Sequence, residues 1–349
     1  MHINRKIEIL ETLSQLFEGI VNPSKALPSY LELHRSNGIS LIDELQHYNG
    51  WFTADVVKKS LSAWGIALKA NKVNSWLKSY SIDEKEKKVG VIMAGNIPLV
   101  GLHDAIVVLV SDNHLFAKLS SKDNQLMRFV LNAIGSIDEE WKSRITISER
   151  LNDIDVLIAT GSDNSARYFE YYFREKPKII RKNRTSVAIL DGSETAEDLK
   201  ALADDIFTFF GLGCRNVTKV YIPKEYDKDL LFNAFYDYRE IINHNKYANN
   251  YDYNKAVYLL NQVPLIENGF LLLKEDEGLH SPVGVLFYEE YEEKAAVINK
   301  LEMQAEEIQC IVSKSSSALH VNFGETQQPE LWDYADGVDT MAFLNSEEH

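Results

Sequence analysis

The chain has 349 residues, of which 45% are hydrophobic and 26% are charged, and its formal net charge at pH 7 is −15. This composition is typical of a soluble globular protein, and the length favours two or three domains over a single core. Because nucleic-acid backbones bind basic surfaces, the acidic balance argues against a nucleic-acid-binding protein.

The cysteines and the apolar runs bear on where the protein resides. The chain has two cysteines, Cys214 and Cys310, and so few favour a reducing compartment and supply no cysteine-based metal site. Charged residues interrupt the apolar positions of the first twenty residues, which is not the pattern of a secretion signal. The run AIVVLV at 105–110 is far too short to cross a bilayer. We therefore expect a cytoplasmic protein without a membrane span.

The first part of the chain predicts helices, and the part after it predicts alternating strands and helices. INRKIEILETLSQLFEGI and TADVVKKSLSAWGIALKANKVNSWL repeat apolar residues every three to four positions, as helices with one buried face do. From residue 89 onward, VGVIMA, HLFAKL, DIDVLIATG and TSVAILDG are predicted strands, with helical segments between them. This alternation predicts βαβ units around a mostly parallel sheet.

Beyond Cys214 the alternation resumes. TKVYIP, GFLLLKE, VGVLFYEEY and IQCIVS are predicted strands, with helices over 228–263 and near 290–303. These elements predict a second α/β unit. The final stretch, FGETQQPELWDYADGVDTMAFL, is rich in Gly, Pro, Asp and aromatic residues, so we expect it to pack against the protein.

The first candidate site is the stretch MAGNIPLVG at 93–101. Gly95 and Asn96 follow a predicted strand, and Pro98 suits the first turn of the helix expected after it. In an open α/β sheet, ligands bind beyond the carboxyl ends of the strands. A plain strand-to-helix turn, which also uses Gly and Asn, explains the same residues equally well.

A second predicted strand end carries cations. Lys118 ends the strand HLFAKL, and Ser120, Ser121 and Lys122 follow it without an adjacent acid. Surface lysines in solvent are the commoner explanation of such a stretch. If a nucleotide lies here, these residues suit a ribose 2′-phosphate better than a free 2′-hydroxyl, which favours NADP(H) over NAD(H).

A third strand end lies in IATGSDNSA at 158–166. Gly161 and Ser162 come between a predicted strand and a predicted helix, and the N-terminus of a helix suits a pyrophosphate. The full G-x-G-x-x-G spacing is absent, so the motif is weak by itself. An ordinary N-cap explains Ser162 nearly as well.

Cys214 lies in a glycine-containing loop, FGLGCRNVTKVYIP, between a predicted helix and a predicted strand. Most lone cysteines are small core residues, but the two glycines before Cys214 indicate a tight loop. Arg215 and Asn216 follow, and a nearby cation raises the thiolate fraction of a cysteine. Cys310, inside EIQCIVS, is predicted to be a core residue. No histidine forms a sequence motif with Cys214, and His280 is a weak candidate for a base.

These motifs, in this order, resemble the aldehyde dehydrogenase superfamily. That family has a strand before Asn-x-Pro, a strand ending in Lys, a Gly-Ser turn before a helix, and a nucleophilic Cys before a strand. The corresponding residues here are Asn96/Pro98, Lys118, Thr160-Gly161-Ser162 and Cys214. The tail QQPELWDYADGVDTMAFL is similar to the C-terminus of the long-chain acyl-CoA reductases of the bacterial bioluminescence type. The resemblance covers residues 89–344.

The resemblance implies an α/β, aldehyde-dehydrogenase-like fold with a Rossmann-type cofactor domain, an α/β catalytic domain and a crevice between them. Its expected parts are an NADP-binding domain (86–210), a catalytic domain (211–313) and a C-terminal segment (314–349) that docks back on the cofactor domain. The helical N-terminal segment (1–85), predicted from its apolar spacing, precedes the range that the resemblance covers. The resemblance also implies that Cys214 is the nucleophile and Asn96 the side-chain oxyanion donor. It further implies cofactor contacts at Lys118 and in the turn Thr160-Gly161-Ser162, to which the argument for a 2′-phosphate adds Ser121, Lys122 and the choice of NADPH.

Two departures from the family pattern bear on the reaction. Aldehyde-oxidising relatives have a Glu-Leu-Gly-Gly stretch whose Glu activates water, whereas the equivalent region at 179–190, IIRKNRTSVAIL, contains no acid. Ala166 stands where the cofactor turn usually has a second glycine. A thioester on Cys214 without a positioned base is poorly hydrolysed, so the resemblance implies reduction by hydride. The leading hypothesis is an NADPH-dependent acyl-CoA reductase that forms a fatty aldehyde.

Other functions stay open at this point. The acyl donor is an acyl-CoA on the leading hypothesis, and an acyl phosphate or acyl carrier protein on the alternative. A non-catalytic assembly subunit of the same fold and a cysteine hydrolase with a histidine distant in sequence are further alternatives. The sequence is compatible with a homo-oligomer or with a partner enzyme that supplies acyl groups, and no metal site is expected.

Overall fold

A computed structural model describes residues 1–81, 86–314 and 319–346. The chain divides into two units. The first unit contains residues 1–183 and 329–349, and the second contains residues 184–328. Each unit has its own sheet and its own hydrophobic clusters.

The N-terminal residues form helices, as predicted. They are α1 (Ile3–Val21), α2 (Glu32–Tyr48), α3 (Ala54–Ala67) and α4 (Ala70–Leu77). Helix α1 buries one face, on which Leu13 and Phe17 are fully enclosed. Residues 82–85, the end of the predicted helical segment, lie outside the described residues.

The first sheet follows these helices. Its elements in chain order are β1 (Lys88–Ile92), α5 (Leu102–Val110), β2 (His114–Lys118), α6 (Asn124–Ile137), α7 (Glu139–Arg144), β3 (Ile145–Ile147), β4 (Val156–Thr160), α8 (Asp163–Tyr172) and β5 (Lys178–Arg181). The spatial order is β3-β2-β1-β4-β5, and these neighbours pair in parallel. The predicted Rossmann-type unit is confirmed. The strand order reverses between β1 and β4, where open α/β sheets bind ligands.

The helical segment and the first sheet share one hydrophobic core. Leu13 and Phe17 of α1 belong to the same buried cluster as Val89 of β1 and Val107 of α5. Helix α5 is buried at every position from 105 to 110, which explains the uninterrupted apolar run AIVVLV. The N-terminal helices therefore pack as part of the first unit.

The second unit is also α/β. Its elements are β6 (Thr185–Ile189), α9 (Ala196–Phe207), β7 (Val217–Pro223), α10 (Asp229–Phe235), α11 (Asn245–Leu260), β8 (Ile266–Glu267), β9 (Leu272–Glu275), β10 (Val285–Tyr291), α12 (Lys294–Met303), β11 (Ile308–Val312) and β12 (His320–Val321). The spatial order is β12-β11-β6-β7-β10-β9-β8. In the described residues the pairings are parallel except that between β8 and β9.

The border between the units differs from the expected domain border at residues 210 and 211. Strand β6 pairs with β7 and β11, so the second unit begins at residue 184. A three-residue connection, 182–184, separates β5 from β6, and both strands are short and apolar. The sequence predicts β6, within TSVAILDG, as a strand but does not show which sheet it joins, and it does not predict β5, so the expected border lies too late.

The C-terminal tail packs within the first unit and ends in α13 (Thr340–Leu344). Trp76 Nε1 on α4 donates to Tyr334 Oη at 2.8 Å. Arg181, at the end of β5, donates to Thr340 Oγ1 at 2.9 Å, and both residues are buried. These buried polar contacts hold the tail in place, as its composition led us to expect.

The docked tail begins at residue 329 and not at 314. Strand β12 pairs with β11 in the second sheet, and the N–H groups of Gly324 and Thr326 donate to the Asp205 carboxylate on α9. Residues 315–318 lie outside the described residues. The stretch before residue 329 therefore completes the second unit.

Candidate functional site

The candidate site residues fall into two groups, one in each unit. In the first unit, Asn96, Lys118 and Thr160 lie at or just beyond the carboxyl ends of β1, β2 and β4. These strands are neighbours in the first sheet, so the topology brings the three residues to one edge, beside the reversal of strand order. Open α/β sheets bind their ligands at this edge.

Asn96 is exposed in the turn between β1 and α5. Helix α5 begins only at Leu102, with Gly101 as its N-cap, so Pro98 does not start the helix and that expectation is wrong. Leu99 in this turn has a positive φ of 59°, which L-residues rarely adopt and which concentrates at functional sites. The turn is longer and more sharply bent than the sequence predicts.

A buried carboxylate connects the turn after β1 to the turn after β2. The Leu99 N–H donates to Asp123 Oδ2 at 2.7 Å, and Asp123 is 3% exposed. Gly95 permits the close approach, because a Cβ there would lie 2.6 Å from Ser120 Oγ and 3.0 Å from the Asp123 nitrogen. Burial raises the pKa of the Asp123 carboxyl from 3.8 to about 7, although the Leu99 N–H opposes this rise.

We expect Asp123→Asn to flatten the pH dependence of the first unit's stability between about pH 4 and pH 7. The wild-type carboxyl has a higher pKa folded than unfolded, so its stabilising contribution is lost as the pH rises through about 7. At about pH 8 the variant accepts the Leu99 N–H without a buried charge. It should then be more stable than wild type by on the order of 2–4 kcal/mol.

Thermal unfolding followed by circular dichroism at about pH 5 and about pH 8 measures this effect. Asp43→Asn, an exposed change in the same unit, is the matched control and should leave the difference between the two pH values unchanged. An Asp123→Asn variant with the wild-type pH dependence contradicts the assignment.

Lys118 makes a contact that the sequence does not predict. Its Nζ donates to the backbone carbonyl of Glu149 at 2.6 Å and lies 4.0 Å from the Glu149 carboxylate. Glu149 follows β3, the strand beside β2, and its side chain is largely exposed. An acid is therefore close to Lys118 in space although none follows it in sequence, and a carboxylate suits a ribose hydroxyl. Ser121 and Lys122 are exposed in the turn after β2.

The turn after β4 approaches its helix closely. Ser162 is the N-cap of α8, and its hydroxyl accepts the Ser165 N–H at 3.4 Å. A Cβ on Gly161 would lie 2.9 Å from the Ser165 Cβ and 3.2 Å from the Phe169 ring, so only glycine fits there without a shift. Ala166 is fully buried, so its methyl group packs inside the unit. The exposed start of α8 is thus compatible with an anion.

In the second unit, Cys214 occupies a β-turn that leads into β7. The Asn216 N–H donates to the Gly213 carbonyl at 3.0 Å, which closes the turn around Cys214 and Arg215. Ser186 on β6 donates its hydroxyl to the Cys214 carbonyl at 3.1 Å. Cys214 itself is partly exposed. The loop is tight, as expected, and Cys214 is not a core residue.

Arg215 links this turn to the buried cysteine. Its Nη1 donates to Cys310 Sγ at 3.3 Å, and Cys310 is 2% exposed in β11. The prediction of a core position for Cys310 is confirmed. From the sequence, Arg215 was considered only as a cation beside Cys214. In the structure its guanidinium donates a hydrogen bond to the sulfur of Cys310.

The residues shortly before the Cys214 turn have a left-handed backbone conformation. Phe209, Phe210 and Gly211 have φ values of 56°, 58° and 74°. Each phenylalanine in this conformation costs roughly 1–2 kcal/mol, whereas glycine adopts it freely. Backbone strain of this kind is concentrated at functional sites, and here it lies directly before the candidate nucleophile.

His244 lies near this segment in space although it is distant from it in sequence. His280, the weak candidate for a base, is exposed in the loop between β9 and β10. The His244 ring packs on Phe210 with ring centroids 4.3 Å apart, and its Nδ1 accepts the Tyr247 N–H at 3.4 Å. No local pattern in the sequence marks His244.

Some residues that contact the candidate site residues or hold their turns were not selected from the sequence. They are Asp123, Glu149, Ser186 and Asn216. Asn216 is the one with a local mark in the sequence, because it is a polar residue between the candidate nucleophile and an apolar strand. The others act through contacts between neighbouring turns or strands, for which the sequence carries no local signal.

In the described ranges no group of three His, Cys, Asp or Glu side chains is arranged to hold a metal ion. None of the helices in the same ranges combines the length and the apolar character that crossing a bilayer requires.

Comparison with known proteins gives one family by sequence. Residues 66–230 match the family described as acyl-CoA reductase (LuxC). The matched range includes the turn after β1, the turn after β4 and Cys214. No curated protein sequence matches the chain.

Comparison with solved structures gives the fold. An oxidoreductase from Marinobacter aquaeolei superposes with a TM-score of 0.61 and 11% identity, over 95% of this chain and 79% of that one. Aldehyde dehydrogenase 21 from Physcomitrella patens, in complex with succinate, superposes with a TM-score of 0.60 and 11% identity. The match covers 90% of this chain and 78% of that one. An NAD+ complex of an aldehyde dehydrogenase from Bacillus cereus superposes with a TM-score of 0.59 and 12% identity. The match covers 91% of this chain and 73% of that one. The chain thus has the aldehyde dehydrogenase fold, its residues 66–230 match the LuxC acyl-CoA reductase family, and the resemblance predicted from its sequence is confirmed.

Proposed function

We propose that the protein reduces an acyl-CoA thioester to an aldehyde with NADPH, through an acyl group carried on Cys214. The match of residues 66–230 to the acyl-CoA reductase (LuxC) family carries this proposal, because it spans both Asn96 and Cys214. A partly exposed Cys214 in a turn closed by hydrogen bonds supports it further.

In the first half-reaction the Cys214 thiolate attacks the carbonyl carbon of the acyl-CoA thioester. The bond from this carbon to the CoA sulfur breaks, CoA leaves and takes up a proton, and the acyl group stays on Cys214 as a thioester. Negative charge develops on the carbonyl oxygen and is stabilised by hydrogen-bond donors. We assign that role to the Asn96 side-chain amide and to a backbone N–H of the Cys214 turn.

Bound NADPH would supply the hydride for the second half-reaction. The same donors then stabilise the oxyanion of the thiohemiacetal on Cys214. When the carbonyl re-forms, the carbon–sulfur bond breaks, the aldehyde leaves and the Cys214 thiolate is regenerated. Over the whole cycle one hydride and one proton are consumed, and the proton leaves on the CoA thiol.

The stretch that corresponds to the one with the water-activating Glu favours reduction over hydrolysis. Residues 179–190, which correspond by resemblance to the stretch with the water-activating Glu, contain no acid. The Asp205 carboxylate on α9 is already occupied, because it accepts the Gly324 N–H, the Thr326 N–H and the Thr326 hydroxyl. Without a base held at the thioester, attack by water is slow. The acyl group therefore remains on Cys214 for reduction.

The edge of the first sheet fits a phosphorylated dinucleotide. The turn 160–162 and the start of α8 would hold the pyrophosphate. Lys118 and Glu149 would lie on the ribose side, where the carboxylate suits a free hydroxyl. The Glu149 carboxylate weighs toward NADH, so the choice of NADPH rests on Ser121 and Lys122, which supply a hydroxyl and a cation for a 2′-phosphate.

Lys122→Ala is expected to lower kcat/KM for NADPH by about tenfold, because a charge-assisted hydrogen bond to the 2′-phosphate is lost. The value for NADH, which lacks this phosphate, should stay within about twofold of wild type. Steady-state kinetics with each cofactor measure both values. Lys58→Ala, an exposed change on α3, is the control and should change neither. Equal losses with NADPH and NADH would contradict the assignment of Lys122.

Acylation of the protein in the absence of NADPH tests the proposed function. After incubation with a long-chain acyl-CoA, mass spectrometry of the intact protein and its peptides should find one acyl group, on Cys214. Addition of NADPH should release it as aldehyde, with an equimolar loss of nicotinamide absorbance. Acylation by an acyl phosphate or acyl carrier protein alone would change the proposed donor. If no donor acylates Cys214, the protein is not a reductase of this type.

A further inference from the structure

A buried asparagine holds the Cys214 turn. Asn216 is 0% exposed, and its Oδ1 accepts the Gly213 N–H at 2.8 Å. Its Nδ2 donates to backbone carbonyls at and just beyond the end of α9, those of Asp205, Ile206 and Thr208, at 3.1, 3.3 and 2.7 Å. The last carbonyls of a helix have no intrahelical partner. One side chain therefore caps α9 and fixes the residue directly before Cys214.

These bonds enclose the strained part of the backbone. The bond to the Thr208 carbonyl lies just before the left-handed residues 209–211, and the bond from the Gly213 N–H lies just after them. Residues in sparsely populated conformations persist only where their surroundings determine them. Asn216 is hydrogen-bonded at both ends of this segment, so it fixes the position of Gly213 relative to the end of α9.

We infer that Asn216 is the positioning residue of Cys214: by clamping segment 208–213 at both ends, it sets the place of the thiol. The inference rests on the proposed function, because it takes Cys214 as the nucleophile. Asn216 is enclosed and acts on the reaction through the geometry of Cys214, not through contact with substrate. A misplacement of a reacting group by about 1 Å can slow a reaction about a hundredfold.

Asn216→Asp tests the inference with little change in size. The carboxylate still accepts the Gly213 N–H but offers no donor to the three carbonyls. Asn254→Asp is the matched control: Asn254 is also buried in the second unit, and its Nδ2 donates to the Val283 carbonyl at 3.1 Å, outside the segment. We expect Asn216→Asp to slow single-turnover acylation of Cys214 by about 10- to 100-fold. KM for NADPH should stay within about twofold, and Asn254→Asp should acylate at about the wild-type rate.

The buried Cys310 reports on folding in the same samples. Iodoacetamide should leave Cys310 unlabelled in both variants, because its sulfur is enclosed when the second unit is folded. Acylation of Asn216→Asp within about twofold of wild type, with Cys310 protected, overturns the inference. Labelling of Cys310 in Asn216→Asp and in the milder Asn216→Ser also overturns it, because Asn216 then holds the unit as a whole. A wild-type protein that is not acylated on Cys214 refutes the proposed function, and the inference with it.

Discussion

Cys214→Ala is expected to lower the turnover of acyl-CoA reduction by about a thousandfold or more, because the whole acyl-enzyme route depends on this nucleophile. The turn is held by backbone groups, by Asn216 and by Ser186, none of which is altered by the change. We therefore expect the variant to fold and to bind NADPH within about twofold of the wild-type affinity. Nicotinamide absorbance measures turnover, and intact-protein mass spectrometry should find no acyl adduct.

Cys310→Ala is the matched control for this loss. Cys310 is buried and accepts a hydrogen bond from Arg215, so its removal leaves a small cavity and is expected to reduce stability by about 1 kcal/mol. Turnover per folded molecule should remain at about a third of wild type or more. If both variants lose activity equally, the loss reflects folding and not chemistry. If Cys214→Ala keeps a tenth or more of wild-type turnover, Cys214 is not the nucleophile.

The strands of both sheets were the part of the fold that the sequence predicts best. Parallel strands covered by helices are buried on both faces, so they occur as short apolar runs such as VGVIMA for β1 and VLIAT for β4. The half-exposed β3, of three residues, has no such run, and nothing in its sequence distinguishes it from a loop. Its position beside β2 comes from the topology of the sheet.

Helix ends depend on contacts that local sequence does not contain. The apolar pattern continues from α3 into α4, yet α3 ends at Ala67 and a new helix begins at Ala70, whose N–H donates to the Glu11 carboxylate at 2.5 Å. This bond supplies the N-terminal cap that Lys69 lacks. In the same way, the start of α5 at Leu102 follows from the turn that Asp123 holds, and Pro98 alone predicts an earlier start.

The residues of the candidate site also differ in whether the local sequence could identify them. Residues at strand ends, such as Asn96 and Lys118, could be selected because the carboxyl edge of a parallel sheet is a general ligand site. Cys214 precedes β7, at the amino end of its strand, where that rule does not apply, and it was marked by the two nearby glycines, by Arg215 and by the resemblance to the aldehyde dehydrogenase superfamily. Glu149 reaches Lys118 because β3 lies beside β2. Contacts of this last kind require the fold and cannot be obtained from local pattern.

Asn96→Ala is expected to lower kcat about 100- to 1000-fold, which is the usual loss when one oxyanion donor is removed. Both half-reactions should slow, because each passes through a tetrahedral oxyanion. The turn should persist in the variant, because the Leu99–Asp123 hydrogen bond and the close packing at Gly95 remain. Single-turnover acylation and the subsequent reduction measure the two steps separately. Asn132→Ala, an exposed change on α6, is the control and should leave both rates unchanged.

Asn96→Asp separates an electrostatic role of Asn96 from a purely structural one. The aspartate has nearly the size of asparagine, so it should restore activity if Asn96 only shapes the turn after β1. If Asn96 donates to a developing oxyanion, the ionised carboxylate repels that charge, and the aspartate variant should be at least as slow as the alanine variant. Protonation converts the carboxyl into a donor, so the activity of Asn96→Asp relative to Asn96→Ala should rise at low pH. Aspartate activity close to wild type at neutral pH would remove Asn96 from the chemistry and leave it a role in the turn alone.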